Sequence, residues 1–216
     1  MELFTTTKIK NNMSGVLLRP NRIWILFIIV FAFCGALAFA YFAVFIHEPG
    51  LKEDALVPIG GPFQMTDHSG KLVSDQDFLG KPTLYYFGFT FCPDVCPTQL
   101  VELSDALDIL RVKTEDINFV FVTVDPSRDT PEVMSQYVSA FHPNLIGLTG
   151  TAQQVATMAK AYRIFYRVIE RPDSPEHYLV DHSAFTYLVG PHGKYITHFS
   201  HGATADQIVT VLRDVL

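Results

Sequence analysis

The chain has 216 residues, 49% of them hydrophobic, and a formal charge of −6. That length holds one domain of ordinary size plus a further segment. The acidic balance argues against a protein built to grip the phosphates of nucleic acid.

The further segment comes first. Residues 23–46 carry no charge, and 24 residues at about 1.5 Å each cover a hydrocarbon core of roughly 30 Å. The segment therefore predicts a transmembrane helix. Lys8, Lys10, Arg19 and Arg22 precede it, whereas His47, Glu48, Lys52, Glu53 and Asp54 follow. The basic excess places residues 1–22 in the cytoplasm as a short N-terminus and the rest of the chain beyond the membrane. A signal peptide cleaved near Ala36-Leu37-Ala38 or Ala38-Phe39-Ala40 is the alternative. Its apolar region would span only about 7–15 residues, so the length favours an uncleaved anchor. Cys34 reads as a small apolar residue of that helix, because Phe31-Ala32-Phe33 is a poor context for lipid attachment.

Beyond residue 46 lie 12 of the 16 Lys and Arg and 21 of the 22 Asp and Glu, a formal charge of −9. This suits cations or a basic protein partner, although most such charge is solvated surface. Residues 47–62, with Pro49, Gly50, Pro58, Gly60, Gly61 and Pro62, read as a linker. The domain then runs over residues 63–216. His68-Ser69-Gly70-Lys71 predicts a hairpin turn, residues 83–89 and 117–124 two buried strands, and residues 97–112 the helix between them. That is a β-α-β unit around a parallel pair. A helix over 131–141, a strand over 145–148 and a helix over 152–162 follow. Residues 163–180, with Arg171-Pro172-Asp173-Ser174-Pro175 in the middle, read as a hairpin-like insertion. Strands over 184–189 and 195–199, a turn at Pro191-His192-Gly193, and a helix over 203–216 close the chain. A β-α-β unit, a linking helix and a final β-β-α make the fold class α/β, with a thioredoxin-like layout tethered to one N-terminal transmembrane helix.

Cys92 and Cys96 stand where the first long helix begins, in Phe87-Gly88-Phe89-Thr90-Phe91-Cys92-Pro93-Asp94-Val95-Cys96-Pro97. A helix N-terminus stabilises thiolate, and thiolate serves both redox chemistry and soft metals. Three residues separate the pair, against the usual two. In a regular helix such positions share a face about 6 Å apart along the axis, close enough either to bridge or to aim both sulfurs at one ion. Copper suits two thiolates and an imidazole. Of eight histidines, His182 is best placed, since Asp181-His182-Ser183 precedes the strand at the point where thioredoxin-like proteins put a proline. His198 and His201 fall on opposite faces of an extended segment. His47, His68, His142, His177 and His192 have no company at ligand spacing, and Met65, Met134 and Met158 form no thioether cluster. Asp94, Asp181 and water are open alternatives for a fourth ligand.

The cysteine motif, Val124-Asp125-Pro126-Ser127-Arg128-Asp129-Thr130-Pro131 and Asp181-His182-Ser183-Ala184-Phe185-Thr186-Tyr187-Leu188 together resemble the Sco/SenC family over about residues 60–216. That resemblance implies a membrane-anchored, thioredoxin-like copper chaperone for cytochrome oxidase assembly. It implies that Cys92, Cys96 and His182 hold one copper ion, Cu(I) or Cu(II). The ion would pass to the dinuclear copper centre of cytochrome c oxidase subunit two, or the dithiol would reduce that centre's cysteines. A thioredoxin-like reductant is expected as a further partner because a close dithiol oxidises outside the cytoplasm. Another copper chaperone as donor completes the expected partners, and the location is a bacterial inner membrane with the C-terminal domain in the periplasm. Thiol–disulfide reductase is the alternative function. A peroxidase lacks its loop pattern. Asp125, Arg128 and Asp129 read as structural: Asp125 ending a strand, Arg128 tying the loop to a carboxylate, and Asp129-Thr130-Pro131 capping a helix.

Overall fold

The computed structural model describes residues 20–45, 58–113, 115–172 and 177–216. The chain divides into two compact units, residues 1–56 and 57–216. In the first, one helix, α1, runs over Pro20–Phe45. Pro20 opens it, where a missing N–H costs nothing. Its stretch Trp24–Phe42 has a mean hydropathy of 2.6 with no part buried, so it is long and apolar enough to cross a membrane. Cys34 is exposed on it. The N-terminus up to residue 19, Ile46 and the linker up to residue 57, with His47, lie outside the described residues.

The second unit is built on a seven-stranded sheet. Its strands are β1 (Gln64–Asp67), β2 (Leu72–Ser74), β3 (Thr83–Gly88), β4 (Asn118–Thr123), β5 (Leu145–Thr149), β8 (Thr186–Val189) and β9 (Tyr195–Phe199). The spatial order is β2-β1-β5-β4-β3-β8-β9. β3, β4 and β5 are parallel neighbours, whereas β1 pairs antiparallel with β5 and β8 antiparallel with β3. The parallel strands explain why 83–89 and 117–124 read as unbroken apolar runs: every residue of β3 and β4 is buried, as strands covered on both faces must be.

Pleating sends alternate residues to two separate cores. Leu84 and Tyr86 join Leu100, Leu103 and Leu107 of helix α2 (Val95–Leu110), Met134 of α3 (Pro131–Val138), and Ile208 and Leu212 of α5 (Ala205–Leu212). Tyr85 and Phe87 join Val155 and Met158 of α4 (Ala152–Ala161). Thr130, Thr151 and Thr204 cap α3, α4 and α5 through their hydroxyls.

The insertion is a hairpin, as its flanking apolar residues predict. β6 (Tyr166–Ile169) and β7 (Leu179–His182) pair antiparallel as a two-stranded sheet of their own. Residues 173–176 of the expected turn lie outside the described residues. Among the boundaries that differ from expectation, two bear on the site, while α3 and α5 end earlier than predicted, at Val138 and Leu212. α2 starts at Val95 rather than Pro97, which puts Cys96 inside its first turn. β8 starts at Thr186 rather than Ala184, so His182 ends the hairpin instead of leading into the sheet.

Candidate metal centre

β3 ends at Gly88 in the middle of the sheet, and α2 begins seven residues later. Cys96, fully buried, lies directly over that glycine: a Cβ at Gly88 would come within 2.8 Å of Cys96 Sγ and 2.8 Å of the Phe121 ring. A glycine inside an apolar strand signals such a close approach. Cys92 sits outside the helix in a turn closed by its N–H to the Phe89 carbonyl, 3.2 Å. The backbone N–H of Cys96 donates to Cys92 Sγ at 3.4 Å. The two cysteines are therefore not successive turns of one helix. Cys92 folds back so that its sulfur accepts from the helix N-terminus, a bond that the cap residue Asp94 does not make with its side chain.

This arrangement splits the two thiols. The hydrogen bond from Cys96 lowers the Cys92 pKa to about 4 against the opposing effect of burial, helped by His182 and by the N–H groups of Cys96 and Asp94. The same coupling to Cys92, with burial, pushes the Cys96 thiol up. The coupling therefore biases the pair toward a thiolate on the half-buried Cys92 and a proton on the buried Cys96. Both are free thiols in the structure.

His182 arrives from β7. Its Nε2 stands 3.7 Å from Cys96 Sγ, and its Nδ1 is 3.2 Å from the Ser183 carbonyl. A carbonyl only accepts, so a hydrogen bond to it places a proton on Nδ1 and leaves Nε2 as the nitrogen that faces the thiols, the orientation that metal ligation needs. Phe89 meets the imidazole edge-to-face at 5.8 Å. The ligand atoms of Cys92, Cys96 and His182 all lie within 4.8 Å of one another. Neither Asp94 nor Asp181 belongs to this group: Asp94 accepts from Thr98, and Asp181 faces Arg167 at 3.4 Å. Other histidines are engaged elsewhere. His198 bonds Tyr195 Oη at 2.6 Å, His68 accepts from Gly147, and His142 lies beside Asp108. Met65, Met134 and Met158 are fully buried in the two cores.

The sequence pattern of the SCO1/SenC family matches residues 52–216. The chain belongs to the SCO1/SenC family. It is 41% identical over 157 residues to the SCO2-like protein of Rickettsia felis, covering 73% of this chain and 77% of that one. It is 40% identical over 154 residues to protein SenC of Rhodobacter capsulatus, covering 71% and 69%. Among solved structures, ScoI of Bradyrhizobium japonicum with copper bound superimposes with a TM-score of 0.68 at 40% identity, over 73% of this chain and 99% of that one. The thioredoxin-like fold is thus that of the Sco structures, and the Cys/Cys/His group has the donor chemistry that suits copper.

Behind this SCO1/SenC site stands a layer that sequence reasoning assigned only in part. Asp129 does not cap α3; Thr130 does. The fully buried Asp129 carboxylate instead accepts from Thr90 N at 3.1 Å, Thr90 Oγ1 at 2.5 Å and Thr123 Oγ1 at 2.5 Å. It pins the loop that leads to Cys92. Burial raises its pKa, and these bonds oppose that rise. Asp125 lies beyond the end of β4, and Arg128 does tie its loop to that carboxylate, at 2.6 Å. Phe89, Thr90 and Ser183 lie inside the cysteine and histidine motifs, but the contact of the Phe89 ring with His182 and that of Thr90 with Asp129 join distant segments and carry no local signal.

Proposed function

We propose that this protein is a copper metallochaperone in which Cys92, Cys96 and His182 bind one copper ion, Cu(I) or Cu(II), for the dinuclear copper centre of cytochrome c oxidase subunit two. The observation that carries the reading is the convergence of two sulfurs and one imidazole nitrogen within 4.8 Å, with Cys96 buried and Cys92 and His182 half-buried. Cys92 already offers a thiolate and Cys96 yields its proton on metal binding. Copper-bound relatives of the same fold, such as ScoI of Bradyrhizobium japonicum, support it. α1 supplies an anchor that keeps the site beside a membrane-bound client. The proposed location is a bacterial inner membrane, with residues 1–22 cytoplasmic, 23–46 spanning, 47–62 as linker and 63–216 in the periplasm, and with another copper chaperone as donor.

One observation favours a second activity at the same residues. Cys92 is half-buried, accepts the backbone N–H of Cys96 at its sulfur, and has its pKa lowered by the Cys96 thiol beside it. As a thiol–disulfide reductase, its thiolate would attack one sulfur of a client disulfide and expel the other as a thiolate. Cys96, losing its proton, would then attack Cys92 Sγ, closing the Cys92–Cys96 disulfide and releasing the client's second thiolate. Two electrons leave the protein, so a thioredoxin-like reductant must restore the dithiol.

Anaerobic copper titration of the reduced fragment 57–216 beside its His182→Ala variant tests the reading. One tightly held copper per chain is expected, weakened by loss of His182 and abolished when both thiols are blocked. No retained copper, with disulfide exchange indifferent to His182, would leave only the reductase reading standing.

A further inference from the structure

His182 and the two thiols come from parts of the fold that share no strand ladder. Cys92 belongs to the β3–α2 loop of the main sheet and Cys96 to the first turn of α2, and His182 ends a hairpin that is a separate two-stranded sheet. Val180 buries the middle of β7 in the core. The polar ties of the hairpin to the β4–α3 loop converge on Arg128, whose guanidinium meets the thiol loop through aromatic rings. Its Nε donates to Asp125 Oδ2 at 2.6 Å and its Nη1 to the Tyr178 carbonyl at 2.9 Å. Tyr178 Oη donates to the other oxygen of Asp125 at 2.7 Å, which closes a ring of three residues. The guanidinium carbon also lies 3.6 Å from the Tyr178 ring centroid, 4.6 Å from Phe91 and 5.9 Å from Phe89.

Each of these contacts leads to a ligand. Tyr178 immediately precedes β7, which ends in His182; Phe91 precedes Cys92; Phe89 meets the His182 ring. Arg128 Nη2, meanwhile, is buried with no hydrogen-bond partner among the described residues. Leaving a guanidinium donor desolvated and unpaired costs stability, so tying down its own loop is a poor explanation for the whole side chain. Holding three aromatic rings and a carbonyl in one plane-and-fork arrangement is a task that only the flat, forked guanidinium performs.

We infer that Arg128 is a positioning residue of the copper site, clamping the hairpin to the thiol loop so that His182 stands within ligand reach of Cys92 and Cys96. It acts on the ion only through the imidazole, and it rests on the copper reading proposed above. Lysine keeps the charge but loses the fork, so Arg128→Lys loosens His182, whereas the thiol loop keeps its own ties from Thr90 to Asp129.

The test uses the full chain in detergent, with Cu(I) affinity measured by competition against a chromogenic chelator. Arg128→Lys is expected to weaken Cu(I) binding about 10- to 100-fold, the usual effect of removing a group that orients a ligand. The rate of Cys92 alkylation by iodoacetamide at pH 7 stays within about twofold, since the Cys96 thiol, the largest of the groups that lower its pKa, is untouched. In a His182→Ala background Arg128→Lys adds no further loss, because the clamp then has no ligand to position. Equal loss in both backgrounds, or no loss in either, overturns the assignment. Tyr178→Phe removes one hydrogen bond to Asp125 and keeps the ring, which guards against a misfolded Arg128 variant. It is expected to weaken copper about threefold to tenfold, again only when His182 is present, and its failure to do so counts equally against the clamp. A wild-type chain that holds no copper would overturn the copper reading and the clamp together. Copper binding indifferent to Arg128 and Tyr178 overturns the clamp alone.

Discussion

At the scale of single residues, the chemistry of this protein is an asymmetry between two cysteines four positions apart. Cys92 is held as a thiolate by the Cys96 thiol first, then by His182 and by backbone N–H groups at a helix N-terminus. Alkylation should report this directly. The reaction of Cys92 with iodoacetamide is expected to be nearly flat between pH 6 and 8, where an ordinary thiol gains about tenfold per pH unit. A tenfold rise per unit would mean that Cys92 is an ordinary thiol. The linkage has a definite sign. A folded-state pKa of about 4 against an ordinary 9.0 contributes stability that is complete above the ordinary value and is lost as pH falls through the window between the two. The raised pKa of Cys96 opposes it in the same pair, so a Cys96→Ser variant changes the slope of stability against pH as well as its level.

At the scale of elements, the site depends on how closely α2 can lie on β3. Gly88 is the place where they touch. Alanine there would put a Cβ 2.8 Å from both Cys96 Sγ and the Phe121 ring, and neither a first-turn helix residue nor a packed ring yields easily. Gly88→Ala is expected to cost about 1–3 kcal/mol by overpacking, read as a lower denaturant midpoint. It should also displace the Cys96 sulfur enough to weaken copper at least tenfold. Unchanged stability and unchanged copper binding would show that the helix can shift without consequence. The apolar run of β3 was legible because burial on both faces leaves a continuous pattern. The exact start of α2 was not, since its N-cap residue Asp94 makes no side-chain cap bond and the Cys92 sulfur accepts the first-turn N–H of Cys96 instead. Asp129-Thr130-Pro131 does hold the cap, at Thr130 with Pro131 next, while Asp129 itself serves elsewhere. Asp-Thr-Pro is compatible with a cap at either of its first two residues, and what removed Asp129 from that role was the pull of Thr90 and Thr123 from other parts of the fold.

At the scale of the whole molecule, the chain falls into a unit containing one apolar helix and a unit containing the site. Every ligand candidate lies in the second unit, as do both cores. The fragment 57–216 is therefore expected to stay in the aqueous phase of a Triton X-114 separation and to bind copper with the stoichiometry of the full chain. The full chain is expected in the detergent phase. A fragment that aggregates, or that loses copper binding when the full chain keeps it, would show that the helix contributes to the domain and not just to its location.

Sequence by itself determined which residues could do chemistry here. The two cysteines at a helix entrance, the uncharged 24-residue run and the alternation of strand and helix patterns are local features, and local patterns follow from side-chain periodicity and solubility. It also pointed to His182 among eight histidines, through its place before a strand and its resemblance to a known motif. Tertiary structure decided the rest. Only the folded chain brings His182, 86 residues after Cys96, to 3.7 Å from it. Only there does the Ser183 carbonyl select the tautomer, Gly88 make room for a sulfur, and Arg128 meet both the hairpin and the thiol loop. Contacts between distant segments depend on strand order and loop paths, which no window of sequence contains.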